Sequence, residues 1–284
     1  MTSRLPTPPA GSSLYYALSL IPPQNRPALR NWWHWWHEVS SIPFNVQDPG
    51  VAEAKLVWWR NEVECAAKGQ ATHPVTQSLF AAQKHAPSTP AKPDMPLWLM
   101  QIDGLIDLIH QTRWLDAPVL KHHQTRTTCA AAEGCAVLLG ADSAAAREAA
   151  CQMGLGWRQV HQLARLGQDA RAGWVHVPVD VLQKHDVRAH ELTKPAPMAS
   201  ANWAGLLTYL CEQARAQLQL GLDQVKPLPR TERRKLMPLV AMTQMQLSLL
   251  NEIEVSSDRI LHERILLTPL RKWWIAQRVR LGLL

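Results

Sequence analysis

Apolar positions along this chain recur every three to four residues far more often than every second one. That spacing lines up one face of an α-helix, whereas alternation would mark a half-buried strand. Leu56, Trp59, Val63 and the Ala66–Ala67 pair show it over residues 52–67. Ala, Leu, Gln, Arg and Glu fill the stretches between, all good helix formers, and β-branched alternation is scarce. The pattern predicts helices over 14–20, 26–42, 52–67, 97–111, 117–139, 143–166, 200–222, 231–254 and 268–281. Ser12 and Ser13 form a plausible N-cap pair for the first, and Pro22–Pro23 end it. Pro43 is expected to stop the second, because proline has no amide proton and crowds the preceding turn.

The breaks are few. Residues 86–96 carry Pro87, Pro90, Pro93 and Pro96 and read as a loop inside one helical fold, since neither flank looks self-sufficient. Residues 173–178 form a short irregular piece between two helices. There is no repeat and no low-complexity tract. The expectation is one all-α domain spanning 1–284, with residues 1–12 flexible.

Composition narrows the classes. A chain of 284 residues is long enough for one large core or two modest ones, and 46% hydrophobic with 19% charged residues excludes a disordered chain. Thirty Lys and Arg against 23 Asp and Glu leave a net charge of +7, which favours an anionic partner such as a phosphate ligand, an acidic protein or a lipid surface. The basic clusters at 230–235 and 271–280 lack the aromatic interleaving that stacking on bases needs, so no nucleic-acid role is expected. Five scattered cysteines without a CxxC pair argue against a disulfide framework or a zinc site and for a reducing compartment. The N-terminus has no apolar signal region, and no apolar run approaches the roughly 18 residues of a spanning helix. A cytoplasmic protein, peripheral at most to a membrane, is expected. The peripheral contact would be the last helix, where Trp273 and Trp274 sit among Arg271, Lys272, Arg278 and Arg280 before an apolar tail. Docking of that helix on the protein body fits its composition equally well. Thirteen Trp against three Tyr and two Phe is lopsided, and paired indoles can line a broad cavity or seal one.

Residue types alone give little chemistry. His34 and His37 are spaced to share a helix face, but no third ligand stands at a suggestive offset. His122 and His123 point to different faces, and Cys129 and Cys135 read as small core residues. No nucleophile-elbow, phosphate-loop or dinucleotide motif is present.

Six ordered blocks carry a resemblance. Residues 13–22 read SLYYALSLIP, 55–60 read KLVWWR with HPV at 73–75, and 102–104 read IDG with TRW at 112–114. Residues 169–180 read DARAGWVHVPVD, and 269–272 read PLRK. In this order and spacing they resemble the squalene/phytoene synthase family of head-to-head prenyl transferases over almost the whole chain. The resemblance implies an isoprenoid-synthase-type helical bundle around a central cavity.

It also implies what the chain lacks. The family holds Mg²⁺ between two aspartate pairs on facing helices, so that a departing diphosphate is neutralised. With Glu38 and Val39 in register, the first aspartates fall on Ser40, Ser41 and Phe44. Those of the second motif fall on Arg165 and Asp169, and its Gln, Asn and Arg on Arg158, His161 and Ala164. The family's substrate-contacting arginine and tyrosines fall on His37, Trp33, His123, Thr125, His176 and Gln246, while two helix-packing glycines become Cys129 and Ala132. Arg165 either faces the cavity with Arg158 and binds phosphate directly, or pairs with Asp169 one turn on, which is favoured. No catalytic residue and no metal site is assigned, and no cofactor is expected. The resemblance implies a catalytically degenerate protein that binds a prenyl lipid or a protein partner, as do the divergent members that assemble respiratory complex I. The alternative is a working Mg²⁺-dependent transferase that condenses two prenyl diphosphates.

Overall fold

The computed structural model describes residues 8–84, 94–111 and 113–283. Fifteen α-helices are found among them: α1 (Ser13–Leu18), α2 (Arg26–Asn45), α3 (Pro49–Ala67), α4 (Pro74–Lys84), α5 (Met95–Ile109), α6 (Ala117–Gln124), α7 (Ala130–Leu138), α8 (Ala144–Ala164), α9 (Leu166–Arg171), α10 (Val179–Lys184), α11 (Ala189–Thr193), α12 (Trp203–Val225), α13 (Arg230–Val255), α14 (Arg259–His262) and α15 (Pro269–Arg280). Among the described residues the only strand-like pairing is an isolated parallel bridge between Arg113 and Val175.

The long helix α8 organises the bundle, packing against α7, α12 and α13. Small residues make this possible. A Cβ at Gly156 would stand 2.5 Å from Leu218, and one at Gly221 would stand 2.6 Å from Met153, so α8 and α12 meet almost backbone to backbone. One buried cluster joins α2, α3, α5, α7 and the start of α8, and a second joins the rest of α8 to α9–α14. Trp157 and Leu247 pack against both. Tryptophan dominates the first cluster: Trp35 lies 4.4 Å from Trp98, and Trp32 lies 6.5 Å from Trp36, each pair stacked.

Several boundaries differ from the sequence expectation. Pro43 does not stop α2, which runs on to Asn45. The proline sits in the last turn, where its missing donor costs only one bond, and the Val46 amide still donates to Ile42 O at 3.1 Å. The helix expected over 117–139 contains a π-helical turn at Thr125–Cys129, and the one expected over 143–166 breaks at Arg165. That break has a tertiary cause. Ala164 O accepts the Ile265 amide at 3.2 Å, and Gly167 lies so close to α14 that a Cβ would stand 1.9 Å from Leu261 O.

Helix α4 was not anticipated. Its start is held from α3 by the buried Glu62 carboxylate, which accepts the Thr72 and His73 amides at 2.8 Å each and the hydroxyls of Thr72 and Thr76. Burial alone would raise the Glu62 carboxyl, but these bonds outweigh it and hold it below the usual range.

The cysteine expectation needs correction, because Cys129 and Cys151 form a disulfide between the π turn and α8. A Cβ at Gly154 would stand 2.6 Å from Ala132 and 2.7 Å from Thr128 O. That close approach brings together two cysteines 22 residues apart, a pairing that no spacing rule detects. The inference of a reducing compartment loses its support. Residues 8–12 pack against α15 instead of running free: Gly11 O accepts from Lys272 Nζ at 3.0 Å, and the Ser12 side chain caps α1. Residues 1–7 of that stretch and 85–93 of the proline-rich loop lie outside the described residues.

Candidate functional site

Helices α2, α5, α6, α8, α9 and α13, the π turn, Arg165 and residues 172–176 line a cavity of about 630 Å³. Twelve of the positions that the family register picks out line it, whereas Thr125 and Ala164 do not. The helical repeat explains how. Trp33, His37, Ser40, Ser41 and Phe44 follow one stripe of α2, and Arg158, His161 and Arg165 follow one stripe of α8 and its end.

The α2 wall carries no carboxylate and no Lys or Arg among the described residues, and its His37 ring stacks on Trp33 at 5.2 Å. Its stripe excludes His34, which instead lies 3.3 Å from Glu38. The Ser41 hydroxyl turns back to donate to Glu38 O at 2.9 Å. Phe44, 41% exposed, meets Trp174 edge-on at 5.0 Å.

The facing wall is charged. Arg165 Nε lies 3.1 Å from Asp169 Oδ1, the i,i+4 pairing, and His176 Nε2 lies 3.5 Å from Asp169 Oδ2. Burial would raise the Asp169 carboxyl, but His176 and Arg165 outweigh it and hold it below the usual range. His176 is itself pushed down, by burial first, with the bond to Asp169 opposing.

Arg158 makes no ion pair and no hydrogen bond among the described residues, and its half-buried side chain lines the cavity. Burial lowers its pKa to about 10, with Asp169 opposing and Arg165 adding to the fall, so it is still a cation at neutral pH. His161 lines the cavity with an accessible ring, and desolvation, followed by Arg158, Arg165 and Arg264, lowers it to about 3. His123 is lowered to about 3 by burial and then by the charges of Arg158, His176 and Arg126, and its Nδ1 has no partner. Gln246 closes the α13 side with a buried, unpartnered Oε1.

Sequence reasoning missed part of the lining. Trp157 occupies the same α8 stripe one turn before His161 and donates to Thr243 Oγ1 at 2.9 Å, and Thr127 and Thr128 come from the π turn. Extending the Arg158–His161–Arg165 stripe backwards would have found Trp157. The π turn shifts the face by one residue and leaves no sequence signal.

These donors do not fit Mg²⁺. It asks for several hard oxygen ligands in an octahedron, whereas among the described residues Asp169 is the one carboxylate lining the cavity and is already paired. Among the described residues no group of three or more His, Cys, Asp or Glu is placed to hold a metal ion. An anion suits the site better, because two guanidiniums, Arg158 and Arg165, line it against the single carboxylate of Asp169.

Comparison with known proteins agrees with this architecture. The squalene/phytoene synthase family profile matches residues 7–271. No curated protein matches the sequence. A dehydrosqualene synthase crystallised with a ligand is similar at a TM-score of 0.76 and 15% identity, over 95% of this chain and 91% of that one. The squalene synthase HpnC from Alicyclobacillus acidocaldarius gives 0.72 and 14%, over 88% and 90%. YisP from Bacillus subtilis subsp. subtilis strain 168 gives 0.65 and 15%, over 93% and 89%. The shared fold is the all-α isoprenoid-synthase bundle.

Proposed function

This chain belongs to the squalene/phytoene synthase family, and we propose that it is a catalytically degenerate member that holds the phosphate end of a prenyl lipid directly on arginine, without a metal and without turnover. The carrying observation is Arg158, a half-buried cation facing the cavity with no hydrogen bond or ion pair among the described residues. A guanidinium matches phosphate oxygens with paired N–H donors, and the bond is charge-assisted. His161, His123 and Trp157 flank it, and the cavity volume falls in the range of a single drug-sized or lipid-chain ligand. Ionising an allylic diphosphate requires the departing polyanion to be neutralised, and the lone, already paired Asp169 cannot gather metal ions for that step.

A bound lipid that is never consumed suits a scaffold or assembly role, like that of the divergent family members that assemble respiratory complex I. In this reading the protein is cytoplasmic and touches an anionic bilayer peripherally through α15. Trp273 and Trp274 are 44% and 57% exposed there. Arg264, Arg271, Lys272, Arg278 and Arg280 provide cations, and no carboxylate side chain occurs between 264 and 284. No helix among the described residues is long and apolar enough to cross a membrane.

The test is calorimetric titration of the purified protein with geranylgeranyl diphosphate, in EDTA and in Mg²⁺, with diphosphate release and organic-phase products followed alongside. Binding in EDTA with no release above a heat-killed control is the expected result. Mg²⁺-dependent release with a squalene- or phytoene-length product would overturn it and make the chain a working transferase.

A further inference from the structure

A second cavity, of about 240 Å³, lies on the opposite face of α8 from the first, closed by α6, α12 and residues 174–181. Trp174 and His176 face both spaces and form the wall between them. Its sides are aliphatic, with Leu155, Leu163, Leu166, Val175, Val177 and Leu210 among them. Amides interrupt these surfaces. Gln124 and Gln162 satisfy each other across the wall at 3.1 Å, whereas Gln159 Oε1 is buried without a partner. Among the described residues no carboxylate lines the cavity, and the one permanent cation is Lys121, exposed at the rim on the last turn of α6.

Size and charge together define an occupant. An apolar cavity of about 150 Å³ accepts benzene, so by proportion this one accommodates about ten carbon atoms. An aliphatic chain suits the walls. A single negative head suits the rim, where a lysine on a flexible stem can follow it into water. We propose that this cavity is a binding site for a medium-chain aliphatic monocarboxylate, its tail between α8 and α12 and its carboxylate at Lys121. The proposal is independent of the prenyl-lipid reading of the larger cavity.

Calorimetric titration of the full-length protein with the saturated carboxylates from hexanoate to hexadecanoate tests it. Affinity is expected to rise about fourfold per methylene and to stop rising near decanoate, where the cavity is full. Lys121→Glu, on the exposed rim, is expected to weaken decanoate about tenfold and to reverse the preference between decanoate and decylammonium. Leu163→Trp fills the space and abolishes binding, with circular dichroism verifying the fold. Arg158→Ala, which removes the unpaired guanidinium of the other cavity, leaves decanoate affinity within about twofold. The proposal is overturned if decanol binds as tightly as decanoate, or if affinity keeps climbing to hexadecanoate as for surface adsorption. It also fails if Arg158→Ala abolishes decanoate binding while Lys121→Glu spares it, or if no carboxylate binds at all.

Discussion

The two walls of the larger cavity are both helix faces, yet they have been built to different ends. The α2 wall offers indole, hydroxyl and phenyl groups, and its backbone is fixed by stacked tryptophans behind it. The α8–α9 wall offers two guanidiniums, imidazoles and one paired carboxylate. It is pinned by backbone contact at Gly167, and by Arg171, which donates to Leu261 O and His262 O at 2.6 and 3.0 Å. Where the family resemblance implies acid on both walls, one has become neutral and the other mostly positive. A neutral wall cannot gather a metal ion, and a positive one repels it. The recognising charge and the rigid scaffold coincide on a single wall, so the walls should respond very differently to substitution.

The largest expected contrast is in stability. Gly167→Ala drives a Cβ into the Leu261 carbonyl, which neither backbone can easily yield, and should cost about 3 kcal/mol. Ser40→Ala on the α2 wall should cost under about 0.5 kcal/mol. Urea denaturation measures both, and equal small losses would show that the charged wall is not the rigid one. Next comes binding. Arg158→Ala should weaken geranylgeranyl diphosphate by about 2 kcal/mol, the scale of a charge-assisted bond. Ser40→Ala should change it by less than about twofold, and a comparable loss from both would move the phosphate to a position between the walls.

The smallest contrast is with pH. His123 folds with a pKa of about 3 against an ordinary 6.5. Between those values the unfolded chain takes up a proton that the folded one refuses. Stability is therefore full above pH 6.5 and falls as the pH drops, by about 1 kcal/mol per unit near pH 6. His123→Gln should remove its share of that slope in denaturant titrations and leave the equal share that His161 carries, whereas Ser40→Ala should keep both. An unchanged slope in His123→Gln would mean that other groups carry the acid sensitivity.

The long helices were legible because each has an apolar face repeated over many turns, as in 52–67 and 231–254. Short elements were not: α10 and α11 span one or two turns, too few for a period to show. Nor were features caused by contact across the fold. Glu62 starts α4 from another helix, Gly167 breaks the chain at Arg165, and Gly154 lets Cys129 reach Cys151. The cavity lining was legible through a family register that placed eight residues on two stripes and four more on other segments. The second cavity was not, because its aliphatic and amide residues come from four distant segments with no motif in any of them.

The packed indoles of α2 and α5 have a further consequence, an optical one. Rings as close as Trp35 and Trp98, held at a fixed 25° tilt, exchange excitation. Exciton coupling of that kind leaves a signed couplet in circular dichroism that depends on mutual orientation and not on helix content. It should fade when side-chain packing loosens, even while the far-ultraviolet helix signal persists. The α2 wall thus carries its own spectroscopic gauge of tertiary order, readable without any added label.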